Sequence, residues 1–137
     1  MELLTKTHDT AIDFLKDEGK VLLIDVLDYL DEEDLYLFNK TNRGSEQIKV
    51  RSKELDWDEF YFEINAKISF NYEAYHRSST METPEEKEMY FSDIESNIDI
   101  LVCQKWDEED EEHKDYYPTA TERKEIVKYL ENHLELI

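Results

Sequence analysis

Residues 60–72 read Phe-Tyr-Phe-Glu-Ile-Asn-Ala-Lys-Ile-Ser-Phe-Asn-Tyr. Every second position, from Phe60 through Phe62, Ile64, Ala66, Ile68 and Phe70 to Tyr72, is apolar or aromatic. Between them stand Tyr61, Glu63, Asn65, Lys67, Ser69 and Asn71. Side chains alternate across a strand, so this spacing predicts one long strand with a face on the core and a face largely in water. A strand wet on one side belongs in an antiparallel sheet. Its natural partner is a strand near residues 94–104, with Ile94, Ile98, Ile100 and Val102 on one face.

The segments around this pair extend the sheet. Asn42-Arg43-Gly44-Ser45 has turn composition, and the alternation of Ile48 and Val50 predicts a short strand after it. Residues 39–53 carry Lys40, Arg43, Lys49, Arg51 and Lys53 against Glu46 alone, a local net of +4. Two readings stand for that excess: the basic strand neutralises an acidic neighbour in the same fold, or it forms a separate anion-binding edge. The connection from Glu73 to Met89 is too long for a tight hairpin and reads as a projecting loop or a short helix beginning at Pro84. After Lys105-Trp106 comes Asp107-Glu108-Glu109-Asp110-Glu111-Glu112, six consecutive acids. A like-charge block this dense cannot pack internally, so it is expected exposed and mobile.

Helices flank the sheet. Thr119-Ala120-Thr121-Glu122 matches a capping box, and Ile126, Val127, Leu130, Leu134 and Ile137 make the inward stripe of a last helix. At the other end Leu4, Ala11, Ile12 and Leu15 share a face, with Gly19 placed just past a helix end. Residues 21–30 fit two patterns. Leu23, Val26, Leu27 and Leu30 make a helical stripe, while β-branched Val21, Ile24 and Val26 suit a buried strand; the helical reading is favoured. Asp31 is placed to cap a further helix, with Leu35 and Phe38 inward. The expected fold is a single α+β domain. Helices occupy about residues 1–41. An antiparallel sheet of about three strands with a long central strand, and a C-terminal helix packed on it, occupy about residues 45–137.

Charge dominates the composition. Asp and Glu number 36 against 16 Lys and Arg, a formal net of −20 on 137 residues. With the basic segment set aside at +4, the rest carries −24. High charge with 39% apolar residues is close to the composition of disorder, but 12% aromatics and only two Gly and two Pro argue for a folded chain with an acidic surface. A small domain stays soluble with far less charge, and self-repulsion opposes compaction, so the excess points to a positively charged partner. The same charge opposes direct binding to nucleic acid or to anionic lipid. The N-terminal residues lack a signal-peptide pattern and no apolar run approaches the ~20 residues of a membrane span, so a cytoplasmic place is expected.

Reaction chemistry has no recognisable seat. The lone Cys103 lies in the apolar run Ile100-Leu101-Val102-Cys103, where a buried, inert thiol is expected. His8, His76, His113 and His133 form no metal pair at helical spacing, and the six-acid run lacks the alternating ligands and central Gly of a calcium loop. No nucleophile elbow or phosphate-binding glycine loop is present. No cofactor is expected, and the chain is read as non-enzymatic; a carboxylate-dependent enzyme is the least favoured of three readings.

The favoured reading is an interaction protein whose acids imitate the charge density of DNA, one charge per ~1.7 Å of axis. The candidate surface joins Asp107, Glu108, Glu109, Asp110, Glu111 and Glu112 to Glu82, Glu85, Glu86 and Glu88, with Tyr116 and Tyr117 supplying contact area. Asp25, Asp28, Asp31, Glu32, Glu33 and Asp34 make a further acidic group, and Tyr29, Tyr36, Tyr75 and Tyr90 are interleaved with the acids. The order of elements from Phe60 to Leu136 resembles small uncharacterised acidic proteins encoded by bacteriophages and other mobile elements. The acidity resembles the DNA-mimic inhibitors that such elements use against restriction and CRISPR systems. The resemblance implies a non-enzymatic accessory role and a basic protein partner, and transfers no functional residue. The alternative is an assembly module that self-associates or pairs through a sheet edge near Ile48–Arg51, its acidity serving solubility.

Overall fold

The computed structural model describes residues 8–31, 33, 41–77 and 86–137. Its centre is a four-stranded antiparallel sheet in which strands β2 (Asn42–Trp57), β3 (Phe60–Arg77), β4 (Glu86–Asp107) and β5 (Glu112–Asp115) lie in that order. The alternation over residues 60–72 does what its period requires. Phe60, Phe62, Ile64, Ala66, Ile68, Phe70, Tyr72 and Ala74 are all buried on one face of β3. Each large apolar side chain in that row contributes about 1.5–3 kcal/mol on burial.

The neighbours of β3 are irregular. In β2, Arg51 and Ser52 together oppose Asn65: the register passes from Val50↔Ala66 to Lys53↔Ile64. Ser52 takes φ 50°, and its N–H donates to Asn65 Oδ1 at 2.9 Å, which pins the bulge. In β4 one bulge lies at Asp93, with φ 49° and its carboxylate accepting from Asn71 Nδ2 at 2.8 Å. A second lies at Leu101, between the pairs Ile64↔Ile100 and Glu63↔Val102. Each bulge shifts the alternation by one residue and adds twist, so the sheet curls around the straight β3 row.

The structure corrects several expectations. The sheet has four strands rather than three. Ile94 does not share the inner face of Ile98 and Ile100: it is 40% exposed at the Asp93 bulge, and Phe91 packs on Phe70 with ring centroids 5.3 Å apart. Past the Leu101 bulge Cys103, not Val102, takes the buried position. Residues 42–45 are strand and not turn. Gly44 pairs with Tyr72, whose hydroxyl would lie 3.1 Å from a Cβ at that position, so a glycine lets the ring lie over the backbone. The connection begun at Glu73 is strand through Arg77, and strand resumes at Glu86; the reading of a helix at Pro84 lies outside the described residues.

The remaining elements pack near the Phe60 end of the sheet. Helix α1 (Ala11–Glu18) buries Ala11, Ile12, Phe14 and Leu15; Thr10 caps its start and Gly19, at φ 60°, closes its end. Phe14 meets Phe60 at 5.1 Å between ring centroids. Residues 21–30 are not the favoured helix. Leu22–Ile24 is a short strand, β1, and Val26–Tyr29 is a single 3-10 turn capped by Asp25. Helix α2 (Ala120–Asn132) buries Ile126, Tyr129 and Leu130 but ends before Leu134. Leu134–Leu136 is strand β6, parallel to β1, closed by Leu22 N–H to His133 O at 2.9 Å and Ile137 N–H to Ile24 O at 2.9 Å. A three-residue strand is too short for a period to show, so neither segment announces itself in the sequence. The predicted cap at Thr119 forms, its hydroxyl accepting from Glu122 N–H at 3.1 Å. Glu122 does not reach back to close a box; its carboxylate accepts from Ala11 N–H at 3.1 Å and from the Tyr116 hydroxyl at 2.7 Å, tying α2 to α1. The cap expected at Asp31 for a helix through Leu35 and Phe38 falls largely on residues outside those described.

Candidate functional site

The six-acid run is a hairpin turn between β4 and β5. Asp107 is the last residue of β4 and Glu112 the first of β5, paired across a four-residue loop in which Glu111 takes φ 51°. Two of the acids build the turn. Asp107 Oδ1 accepts from the N–H groups of Glu109 at 2.9 Å and Asp110 at 3.3 Å. Lys114 Nζ lies 3.0 Å from Asp107 Oδ2 and also donates to Asp110. The Lys114 ammonium and those backbone N–H groups hold the Asp107 carboxyl below its ordinary range, and Asp110 and then Asp107 hold Lys114 above its own. Glu108, Glu109, Glu111 and Glu112 are exposed and make no ion pair among the described residues. Exposure is as expected, and the run takes the form of a hairpin whose turn Asp107 ties by hydrogen bonds.

Aromatic side chains surround its base. His113 packs against Trp106 at 5.1 Å and Tyr61 at 6.1 Å, and its Nε2–H donates to Asp58 O at 2.6 Å. This contact brings the β2–β3 turn, with exposed Asp56 and Asp58, beside the hairpin. Asp115 follows on β5, and Tyr117 is 84% exposed. Tyr116 points inward instead. Its ring meets Phe60 edge-on at 5.5 Å, and burial together with the Glu122 hydrogen bond raises its phenol pKa. Tyr117 is therefore left to solvent, whereas Tyr116 is committed to packing.

The other half of the expected surface lies elsewhere. Glu88 is exposed near the opposite end of β4, 19 residues from Asp107, about 60 Å along the strand. Glu86 starts the same strand opposite Arg77, while Glu82 and Glu85 lie outside the described residues. The Glu88 end has its own aromatic pair, Tyr75 and Tyr90, with centroids 6.0 Å apart and hydroxyls donating to Glu73 and Glu88. In the N-terminal acidic group Asp25 caps the 3-10 turn, Asp28, Asp31 and Glu33 are exposed, and Glu32 and Asp34 lie outside the described residues.

Sequence reasoning missed three features. Exposed Asp93, Glu95 and Asp99 lie along β4 between its two ends. Their signal was present as the polar alternates of Ile98 and Ile100. On the same outer face Lys49 of β2 stands directly opposite Lys67 of β3, with Arg51 beside them around a shallow depression of about 230 Å³ that also includes Asp99. In the register of the basic strand Arg43 stands opposite an acid, Glu73, whereas Lys49 stands opposite a like charge. The third feature is His8, buried beside buried Glu59; nothing in the spacing of residues 51 positions apart announces it. Cys103 is buried as expected, and burial, with the Glu122 charge adding to it, pushes its thiol to about 12. Among the described residues no helix is long and apolar enough to cross a membrane.

Comparison with protein-family models, with curated proteins and with solved structures finds no match to this chain.

Proposed function

We propose that this chain is a non-catalytic interaction protein that presents a DNA-like acidic surface to a basic, nucleic-acid-binding protein. The observation that carries the reading is the hairpin: Glu108, Glu109, Glu111 and Glu112 stand exposed on a turn whose backbone is fixed by Asp107 and Lys114. Charges held in place cost a partner less ordering entropy than charges on a tether. Exposed Tyr117, five residues beyond Glu112 and with its hydroxyl on Asp115, supplies an aromatic anchor. Asp99, Glu95 and Asp93 add exposed acids farther along β4 toward Glu88, set apart from the hairpin by the acid-free residues 100–106 and bordered at Asp99 by Lys49, Arg51 and Lys67. A resemblance to acidic proteins of bacteriophages and mobile elements, read from the same charge and from the order of elements, would make the target a nucleic-acid-binding protein of a host.

A second reading is self-association through β2, an outer strand of the four-stranded sheet. The Ser52 bulge and the cations Lys49, Arg51 and Lys53 blunt that edge, as charges and bulges do on edge strands generally. Salt separates the two readings. Capture from host lysate by the acidic surface yields a nucleic-acid-binding protein that raised salt or added duplex DNA displaces. β-pairing or apolar association is indifferent to both, and that outcome rejects the mimic reading.

A further inference from the structure

Away from the hairpin, a buried histidine sits among carboxylates. His8 and Glu59 are 9% and 3% exposed. His8 Nδ1 faces both oxygens of Glu59, at 3.0 and 3.1 Å, and the His8 backbone N–H donates to the same carboxylate at 2.7 Å. Nδ1 is therefore the protonated nitrogen, and Glu59 fixes both the tautomer and the direction of the ring. The other nitrogen, Nε2, then points at Asp17 Oδ2, 2.8 Å away. An imidazole lone pair and a carboxylate oxygen are both acceptors, so at 2.8 Å a second proton stands between them as an N–H···O hydrogen bond, and a metal ion would displace that proton and bind both atoms from one side. Glu18 brings a further carboxylate, and its oxygen, that of Asp17 and the His8 ring nitrogen all lie within 4.8 Å of one another.

A separate feature of α1 points the same way. Asp17 and Glu18 end the helix, just before the Gly19 cap, where the helix dipole favours cations and disfavours carboxylates. We propose that His8, Asp17 and Glu18 form a binding site for one divalent cation of the zinc class. Imidazole nitrogen with two carboxylates is a borderline donor set that suits Zn²⁺ better than Ca²⁺ or Mg²⁺, which take oxygen. Glu59 plays the part that an outer carboxylate plays at histidine–zinc centres, holding the far nitrogen of the ligand ring. Three protein ligands leave the fourth position of a tetrahedral ion to water. The ion would fasten the end of α1 to the β2–β3 turn that carries Glu59. A proton on Nε2 is the competing occupant, and hydrogen bonding to Asp17 and then Glu59 raises the His8 pKa.

The test uses the full chain near neutral pH, with Zn²⁺ as the probe. Calorimetry counts ions and long-range proton–nitrogen spectra follow the His8 ring. The variants are Glu18→Gln, at an exposed position, and the double variant Glu111→Gln/Glu112→Gln in the hairpin. The site predicts one tightly held ion per chain and displacement of the His8 Nε2 resonance on its addition. Glu18→Gln should weaken uptake at least as much as loss of an outer-shell partner does, about 10-fold, and the hairpin variant should leave it unchanged. Absence of saturable uptake, an unmoved His8 resonance, or uptake that follows the hairpin variant rather than Glu18→Gln overturns the proposal.

Discussion

Asp107 shows how a single acid in a crowded acidic run acquires a structural job. Its two oxygens divide between backbone N–H groups of its own turn and the Lys114 ammonium. Its carboxyl pKa is lowered first by the Lys114 hydrogen bond, then by the backbone of Asp110. The sign follows from linkage: a lowered folded value adds stability that is fully present above the ordinary carboxylate value and is lost as pH falls through the lowered one. Lys114→Met removes the larger cause, so the Asp107 carboxyl should titrate at higher pH in carbon-detected NMR while carboxyls away from the hairpin stay put. An unmoved Asp107 would show that the turn backbone alone sets its acidity. At this scale the sequence was partly legible. A block of six acids announces exposure, but not that Asp107 and Asp110 are occupied by Lys114 while the four glutamates face water. Similarly, Tyr116 and Tyr117 are neighbours of the same type, and only the packing of Phe60 and the carboxylate of Glu122 separate the inward one from the exposed one.

Among the elements, β3 was legible because its period of two runs without a break and every inward residue is apolar. β4 was not, because bulges at Asp93 and Leu101 reverse the alternation twice, and a pattern read across a bulge assigns Ile94 and Val102 to the wrong face. β1 and β6 were hidden for a different reason. Their pairing is a contact between residues 22–24 and 134–136, and Leu134 and Ile137 happen to continue the helical spacing of Ile126 and Leu130. The face assignment of β3 has a direct check. Phe62→Ala should cost about 3–5 kcal/mol in denaturant unfolding, as a fully buried phenylalanine does. Lys67→Ala, five residues along the same strand on the exposed face, should fall within about 0.5 kcal/mol of zero or stabilise slightly by relieving Lys49. Similar costs at both positions would contradict a sheet with one wet face.

For the molecule as a whole, a net charge of −20 on 137 residues acts against the core. Self-repulsion on that scale weakens the folded state at low salt. Raising ionic strength from about 0.01 to about 0.15 M shortens the screening length from about 30 to about 8 Å. The melting temperature should therefore rise with sodium chloride over that range; a flat or falling curve would mean that attractive pairs such as Lys114–Asp110 outweigh the repulsion. Composition made the excess charge legible, but its layout depends on the strand that separates Glu88 from Asp107 and on the hairpin that turns a run into a surface. The claim that this layout matters, and not acidity alone, is tested by neutralising the same number of charges in two places. One variant carries Glu108→Gln, Glu109→Gln, Glu111→Gln and Glu112→Gln; its control carries Asp9→Asn, Asp13→Asn, Glu125→Gln and Glu135→Gln, all exposed and away from the hairpin. Capture of the DNA-displaceable partner should be lost with the hairpin variant and kept with the control. Equal retention by both, or equal loss, would contradict a binding surface built on the hairpin.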